Sequence, residues 1–185
     1  MKTSDITSIY NNHINDLYSY GLHLGFDKNL IMDAVHDVFF NICKSEKEIS
    51  RINDIKFFLF KSLKNRLLNL SRSSGRMIAV PLNDQTNELP FDIQVTIDES
   101  LIIKEEHEIT RRKIEEMLNV LTARQREIIY LKYAQEYDYE KISQLMHISV
   151  PACRKLAHRA LQVIREKYPI PLFFAFIELI KMLKI

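Results

Sequence analysis

The chain has 185 residues, enough for one large domain or two small ones, and is 46% hydrophobic against 27% charged, which argues against global disorder. Only 3 Gly and 5 Pro occur, too few turn residues for an all-β protein of many short strands, so the expectation is a mostly helical chain. The net charge of +2 says little as a total, but it is unevenly spread. Lys61, Lys64, Arg66, Arg72 and Arg76 run without an acid among them. Asp84, Glu88, Asp92, Asp98, Glu99, Glu105 and Glu106 follow against Lys104 alone. Arg154, Lys155, Arg159, Arg165 and Lys167 then stand against Glu166. Two basic segments around an acidic connector point to two surfaces for a polyanion.

Ile6, Ile9, Tyr10, Ile14, Leu17, Tyr18 and Leu22 recur at helical spacing and predict a first helix to about Gly25. Asp27 is placed to cap a second, whose apolar face is Leu30, Ile31, Ala34, Val35, Val38, Phe39 and Ile42. A third begins at Asn53 or Asp54 and runs to about Ser73, before Gly75. Of its Phe57, Phe58 and Phe60, at least two are expected in the core. Residues 77–97 lack periodicity and contain Pro81, Asn83, Asn87 and Pro90, the pattern of a linker.

Helical pattern returns at Asp98 and runs to about Val120. Thr122 and Gln125 form a capping box that opens a helix to about Ala134. Asp138 caps a short helix from Tyr139 to Met146, His147 and Ile148 make a turn, and Ser149 caps a long helix from Val150 to about Lys167. Pro169 and Pro171 stop it. The tail from Leu172 to Ile185 is nearly all apolar, with Glu178, Lys181 and Lys184 on one narrow stripe. It is too short to span a membrane, and a helix of this kind is expected to dock on the chain's own domains. The N-terminal residues have no apolar run of the signal-peptide type. Cys43 and Cys153 lack metal-ligand spacing and read as small buried hydrophobes in a reducing cytoplasm. No metal or cofactor is expected.

A short helix, a tight turn and a longer basic helix make a helix-turn-helix pattern. Ile142, Leu145, Ile148, Val150, Cys153, Leu156, Ala157 and Leu161 supply its apolar seam. Ser149 opens the second helix, and Ala152, Arg154, Lys155, His158 and Arg159 fall on its outer faces, where Arg and Lys suit base edges and phosphates. Periodicity alone leaves an ordinary helical hairpin with a solvated basic face as an equal alternative.

Residues Leu121 to Tyr133, Tyr139 to Ser149 and His158 to Leu161 resemble, in order, the promoter-binding C-terminal domain of sigma-70-family sigma factors. His147 stands where that family usually has glycine, which points to a left-handed residue, and Pro151 and Leu156 replace commoner small and basic residues. Ile9 to Arg76 is similar to the other domain of the small, two-domain extracytoplasmic-function type. The resemblance implies an all-α protein of four parts. Residues 1–76 would bind core RNA polymerase and the minus-ten element, and residues 77–108 would form an acidic linker and the start of a connecting helix. Residues 109–167 would bind the minus-thirty-five element, and 168–185 form an apolar extension outside the family pattern. By the same resemblance Asp33, His36, Asp37, Phe40 and Asn41 contact polymerase, and Lys61, Lys64, Asn65, Arg66, Asn69, Arg72 and Arg76 contact minus-ten DNA. Ser149, Ala152, Arg154, Lys155, His158 and Arg159 contact the upstream element. The implied protein is a cytoplasmic, non-enzymatic selector of promoters whose partners are core polymerase, promoter DNA and an anti-sigma factor, without stable membrane insertion. Two alternatives are a helix-turn-helix regulator that acts without core polymerase and a helical protein-interaction module. Direct association with polymerase separates the first, and salt-sensitive DNA binding counts against the second.

Overall fold

The structure, a computed structural model, describes residues 3–44, 52–73, 89–93 and 104–182. Every regular element among them is helical. The chain divides into two compact units, residues 1–90 and, apart from the last residue, the remainder from Phe91.

The first unit holds α1 (Thr3–His23), α2 (Lys28–Lys44) and α3 (Ile55–Ser73), all packed on one another. Asp27 starts α2 as expected, its carboxylate accepting from the Asn29 and Leu30 N–H groups at 3.0 Å each. Asp54 does the same for α3, accepting from Phe57 N–H at 2.9 Å. The core joins Leu17, Tyr20 and Leu24 of α1 with Ile31, Ala34, Val35, Val38, Phe39 and Ile42 of α2 and Leu59, Phe60, Leu63 and Leu67 of α3. Helices α1 and α2 meet where a Cβ on Gly21 would lie 2.8 Å from Ile31 Cγ1, so this crossing requires glycine. Lys56 pairs with Asp16 at 2.7 Å and ties α3 to α1.

Two expectations for this unit need correction. Of the three phenylalanines of α3 only Phe60 is fully buried, stacked 4.9 Å from Tyr20, while Phe57 and Phe58 are half-buried. The helical period turns Leu59 inward in their place. Cys43 is exposed, because the face of α2 that meets the core passes through Phe39 and Ile42 instead.

The second unit holds α4 (Lys104–Asn119), α5 (Ala123–Ile129) continued by a π-helical turn (Tyr130–Ala134), α6 (Tyr139–Met146), α7 (Val150–Lys167) and α8 (Ile170–Met182). The expected start of α4 at Asp98 lies outside the described residues. The capping box is present: Gln125 N–H donates to Thr122 Oγ1 at 3.3 Å, and Thr122 N–H donates to Gln125 Oε1 at 2.9 Å. The π-helical turn has no counterpart in the periodicity. It closes with Gln135 N–H on the Tyr130 carbonyl, and Glu136 then takes a left-handed φ of 58°.

The stretch read as linker also contributes to this core. Phe91 and Ile93 are buried, and the Phe91 ring lies 5.6 Å from Tyr130. Arg126 Nε donates to the Phe91 carbonyl at 2.7 Å. Two apolar residues in an acidic, aperiodic stretch carry too little pattern to stand out from a linker.

The tail forms α8 and packs on the π-helical turn and on α7, burying Phe176 and Ile180 within the second unit. No helix among the described residues is long and apolar enough to cross a membrane. Burial of these two side chains contributes about 1.5–3 kcal/mol each before ordering entropy is subtracted. Removing residues from Ile170 onward is therefore expected to lower the stability of the second unit by roughly 3 kcal/mol, read as an earlier urea midpoint. An unchanged midpoint would show that α8 adds nothing to this core.

Candidate nucleic-acid interface and docking faces

In the second unit the helix-turn-helix is built from its caps outward. Asp138 accepts from Lys141 N–H at 2.8 Å and starts α6. Helix α6 ends at His147, whose φ of 53° and ψ of 43° are left-handed, the conformation that the missing glycine implied. Ile148 N–H then reaches back to the Ser143 carbonyl at 3.2 Å. Three residues after Met146, Ser149 restarts the chain as the cap of α7, its Oγ accepting from Ala152 N–H at 3.4 Å, with Pro151 in the first turn where no helical N–H is lost. Arg124 of α5 donates to the Met146 carbonyl at 3.3 Å and fastens the end of α6.

These caps set which side of α7 is buried. Cys153, Ala157, Ala160 and Ile164 face inward against Ile142, Leu145 and Met146 and against α5. Burial raises the Cys153 thiol pKa, so the thiol stays protonated in this seam. Ile148, Val150, Leu156 and Leu161, expected in the seam, are half-buried at its margin. Ser149, Ala152, Arg154, Lys155, His158 and Arg159 are all exposed, so every residue proposed for the upstream element is on the surface of one helix. The Ser149 hydroxyl is already engaged as the helix cap.

The same unit carries two residues that the periodicity did not single out. The Tyr139 ring, on the first residue of α6, lies under Lys132 Nζ at 5.0 Å and Arg154 Cζ at 5.8 Å from its centroid. Lys132 Nζ also donates to the Tyr137 carbonyl at 3.4 Å. The signal that existed for Tyr139 was its place directly after a capping aspartate; nothing in the spacing linked it to Arg154.

In the first unit α2 presents an outward stripe opposite its core face. Asp33, His36, Phe40 and Asn41 are exposed and Asp37 is half-exposed. Phe40 is 58% exposed, with Lys44 Nζ 4.2 Å from its ring centroid.

The α3 set divides. Asn65, Asn69 and Arg72 are exposed at i, i+4 and i+7 on one stripe, with Lys61 half-buried at its start. Lys64 is corrected: it is 5% exposed, because the period that turns Leu63, Leu67 and Phe60 inward takes Lys64 with them. Arg66 is half-buried and pairs with Asp37, Nε and Nη2 donating to the same Oδ2 at 2.7 and 2.6 Å. One residue proposed for DNA thus binds one proposed for polymerase. Both side chains are about two-fifths exposed, 42% and 41%, and a pair of this exposure is worth roughly 0.2–1 kcal/mol, little enough for a phosphate to displace. Arg76 lies outside the described residues.

Residues 111–164 match the family model described as Sigma-70, region 4. No curated protein matches the chain. Among solved structures the chain is similar to the sigma factor RpoE in complex with the anti-sigma factor NepR from Bartonella quintana. The TM-score is 0.58 at 18% identity, and the match covers 89% of this chain and 96% of that one. The segment that carries the helix-turn-helix is a sigma-70 region 4 domain. The family match covers this segment, and the fold of the chain is similar to that of the solved RpoE.

The left-handed turn residue gives a direct test of the helix-turn-helix geometry. A side chain in this conformation costs about 1–2 kcal/mol, part of which glycine recovers and part of which it returns as unfolded-state entropy. His147→Gly is expected to stabilise the protein by roughly 0.5–1 kcal/mol in urea unfolding and to leave DNA affinity unchanged. A destabilised His147→Gly chain would contradict the turn described here.

Proposed function

We propose that this chain is a sigma-70-family sigma factor of the extracytoplasmic-function type, that it binds core RNA polymerase and directs it to start transcription at particular promoters, and that it performs no catalysis of its own. Nucleotide addition belongs to the polymerase; this chain supplies the choice of site, in the cytoplasm where chromosome and polymerase meet. The observation that carries the reading is the exposed basic start of α7 on a doubly capped helix-turn-helix within the segment that matches sigma-70 region 4.

The division of labour follows from the surfaces. The α2 stripe around Asp33, His36, Asp37, Phe40 and Asn41 docks on polymerase. The α3 stripe of Lys61, Asn65, Asn69 and Arg72, joined by Arg66 once Asp37 releases it, engages the minus-ten element; charge and flat polar groups hold an opened strand. The start of α7, with Ala152, Arg154, Lys155, His158 and Arg159, enters the major groove of the minus-thirty-five element. The acidic residues from Asp84 to Glu106 connect the two contacts, and tethering raises the effective concentration of the second once the first is made. An anti-sigma factor, the kind of partner held by the solved RpoE, is the further partner proposed.

The test is runoff transcription with purified core polymerase on a library of genomic promoters. The full chain is expected to give discrete promoter-selective starts, and a chain cut after Pro90 is expected to give none. Selective initiation by residues 1–90 alone would overturn the division of labour. DNA binding without any effect on polymerase would favour a regulator that works without it.

Single substitutions test the upstream contact. Arg154→Ala and Lys155→Ala are expected to weaken binding to the minus-thirty-five element with the helical content unchanged. A lost base contact costs about 1–3 kcal/mol and relaxes preference at one position, whereas a lost phosphate contact lowers the salt dependence. Unchanged affinity and preference in both variants would move the contact elsewhere.

A further inference from the structure

An arginine that reads DNA from an open helix surface binds better when it is held before contact, because ordering a free guanidinium side chain costs rotamer entropy. On α7, Arg154 is exposed, yet its guanidinium carbon lies 5.8 Å from the Tyr139 ring centroid, within cation–π range. The ring itself is fixed. Tyr139 is the first residue of α6, directly after Asp138, whose carboxylate caps that helix through Lys141 N–H at 2.8 Å, and the tyrosine is half-buried. Lys132 completes the cluster: its ammonium lies 5.0 Å from the same centroid and donates to the Tyr137 carbonyl at 3.4 Å. Two cations against one neutral ring repel each other, and a phosphate brought between them relieves that repulsion.

We propose that Tyr139 is a positioning residue for promoter recognition, its ring holding the Arg154 guanidinium in the geometry that meets DNA, with Lys132 adding a phosphate contact beside it. The inference rests on the reading of α7 as the upstream-element helix. It assigns to the first residue of α6 a share of the specificity exercised by α7. The ring acts through its face; the phenol hydroxyl is not required.

The experiment measures binding of the full chain to the minus-thirty-five element and to its single-base variants over a range of salt. The chains compared are Arg154→Ala, Tyr139→Leu, Tyr139→Phe, Lys132→Ala and the Tyr139→Leu/Arg154→Ala double variant. Circular dichroism reports the fold of each. Tyr139→Leu is expected to weaken binding roughly two- to fivefold, the size of one exposed cation–π contact, and to relax the same base preference as Arg154→Ala. Tyr139→Phe keeps affinity and preference. The double variant binds no worse than Arg154→Ala alone, because the ring acts only through that arginine. Lys132→Ala lowers the salt dependence by about one phosphate contact and leaves base preference alone.

Additive losses in the double variant, or a Tyr139→Phe chain as impaired as Tyr139→Leu, would overturn the proposal, the latter by pointing to a direct hydroxyl contact. Lys132→Ala with an unchanged salt slope removes the lysine from the cluster. If Arg154→Ala weakens binding and Tyr139→Leu does not, this inference fails alone. If Arg154→Ala binds as tightly as the unsubstituted chain, the reading of α7 fails and takes the inference with it.

Discussion

The surface proposed to face DNA depends on how α7 is seated. Its inner side is made of Cys153, Ala157 and Ala160, with Ile164 one turn further. Three small side chains in succession let the helix lie close to α5 and α6, and a larger residue at any of them would lift it. Once that side is buried, the helical period leaves no freedom for the rest: Arg154, Lys155, His158 and Arg159 must point to solvent. The turn at His147 and the cap at Ser149 fix where α7 starts, hence which residues come first to a groove. Packing, backbone conformation and charge therefore act on one helix toward one outcome.

The first unit uses the same logic with a different lock. Gly21 lets α1 and α2 approach until Ile31 fills the space that a side chain would take. With its Ile31-to-Ile42 face committed to the core, α2 has its stripe from Asp33 to Asn41 turned outward, and the α3 face through Leu59, Leu63 and Leu67 leaves Asn65, Asn69 and Arg72 outside. The Asp37–Arg66 pair joins the two stripes at a low energetic cost of separation. It keeps a carboxylate and a guanidinium occupied, and under the proposed division of labour polymerase or DNA would compete for each.

Much of this was legible in the sequence because helices announce themselves through caps and period. Asp27, Thr122 with Gln125, Asp138 and Ser149 each start the helix they were expected to start. His147 in place of glycine pointed to the left-handed turn. On α3 the differences come from helical phase. Lys64 belongs to a basic run in the sequence, yet it stands next to Leu63 on the buried side of α3. At least two of Phe57, Phe58 and Phe60 are expected inside from their helical spacing, yet Leu59 and Phe60 hold the inward positions. Phe91 and Ile93 were hidden among linker residues, since isolated apolar residues have no period to read, and the π-helical turn after Ile129 breaks the period on which any such reading relies. The Tyr139 cluster joins residues from three segments, and only the folded chain brings them together.

The central claim is that the N-terminal end of α7 enters the groove of the upstream promoter element. Affinity cleavage tests it most directly. In full-length Cys43→Ser protein bound to core polymerase and promoter, a DNA-cleaving chelate is attached through Ala152→Cys or, separately, through Gln162→Cys. Both sites are exposed and stand ten residues apart on α7, about 15 Å along its axis. The account predicts focused cuts in the minus-thirty-five element from the Ala152 position and weak or no cuts from Gln162. Cleavage from Gln162 with none from Ala152, or no upstream cleavage from either, would contradict it.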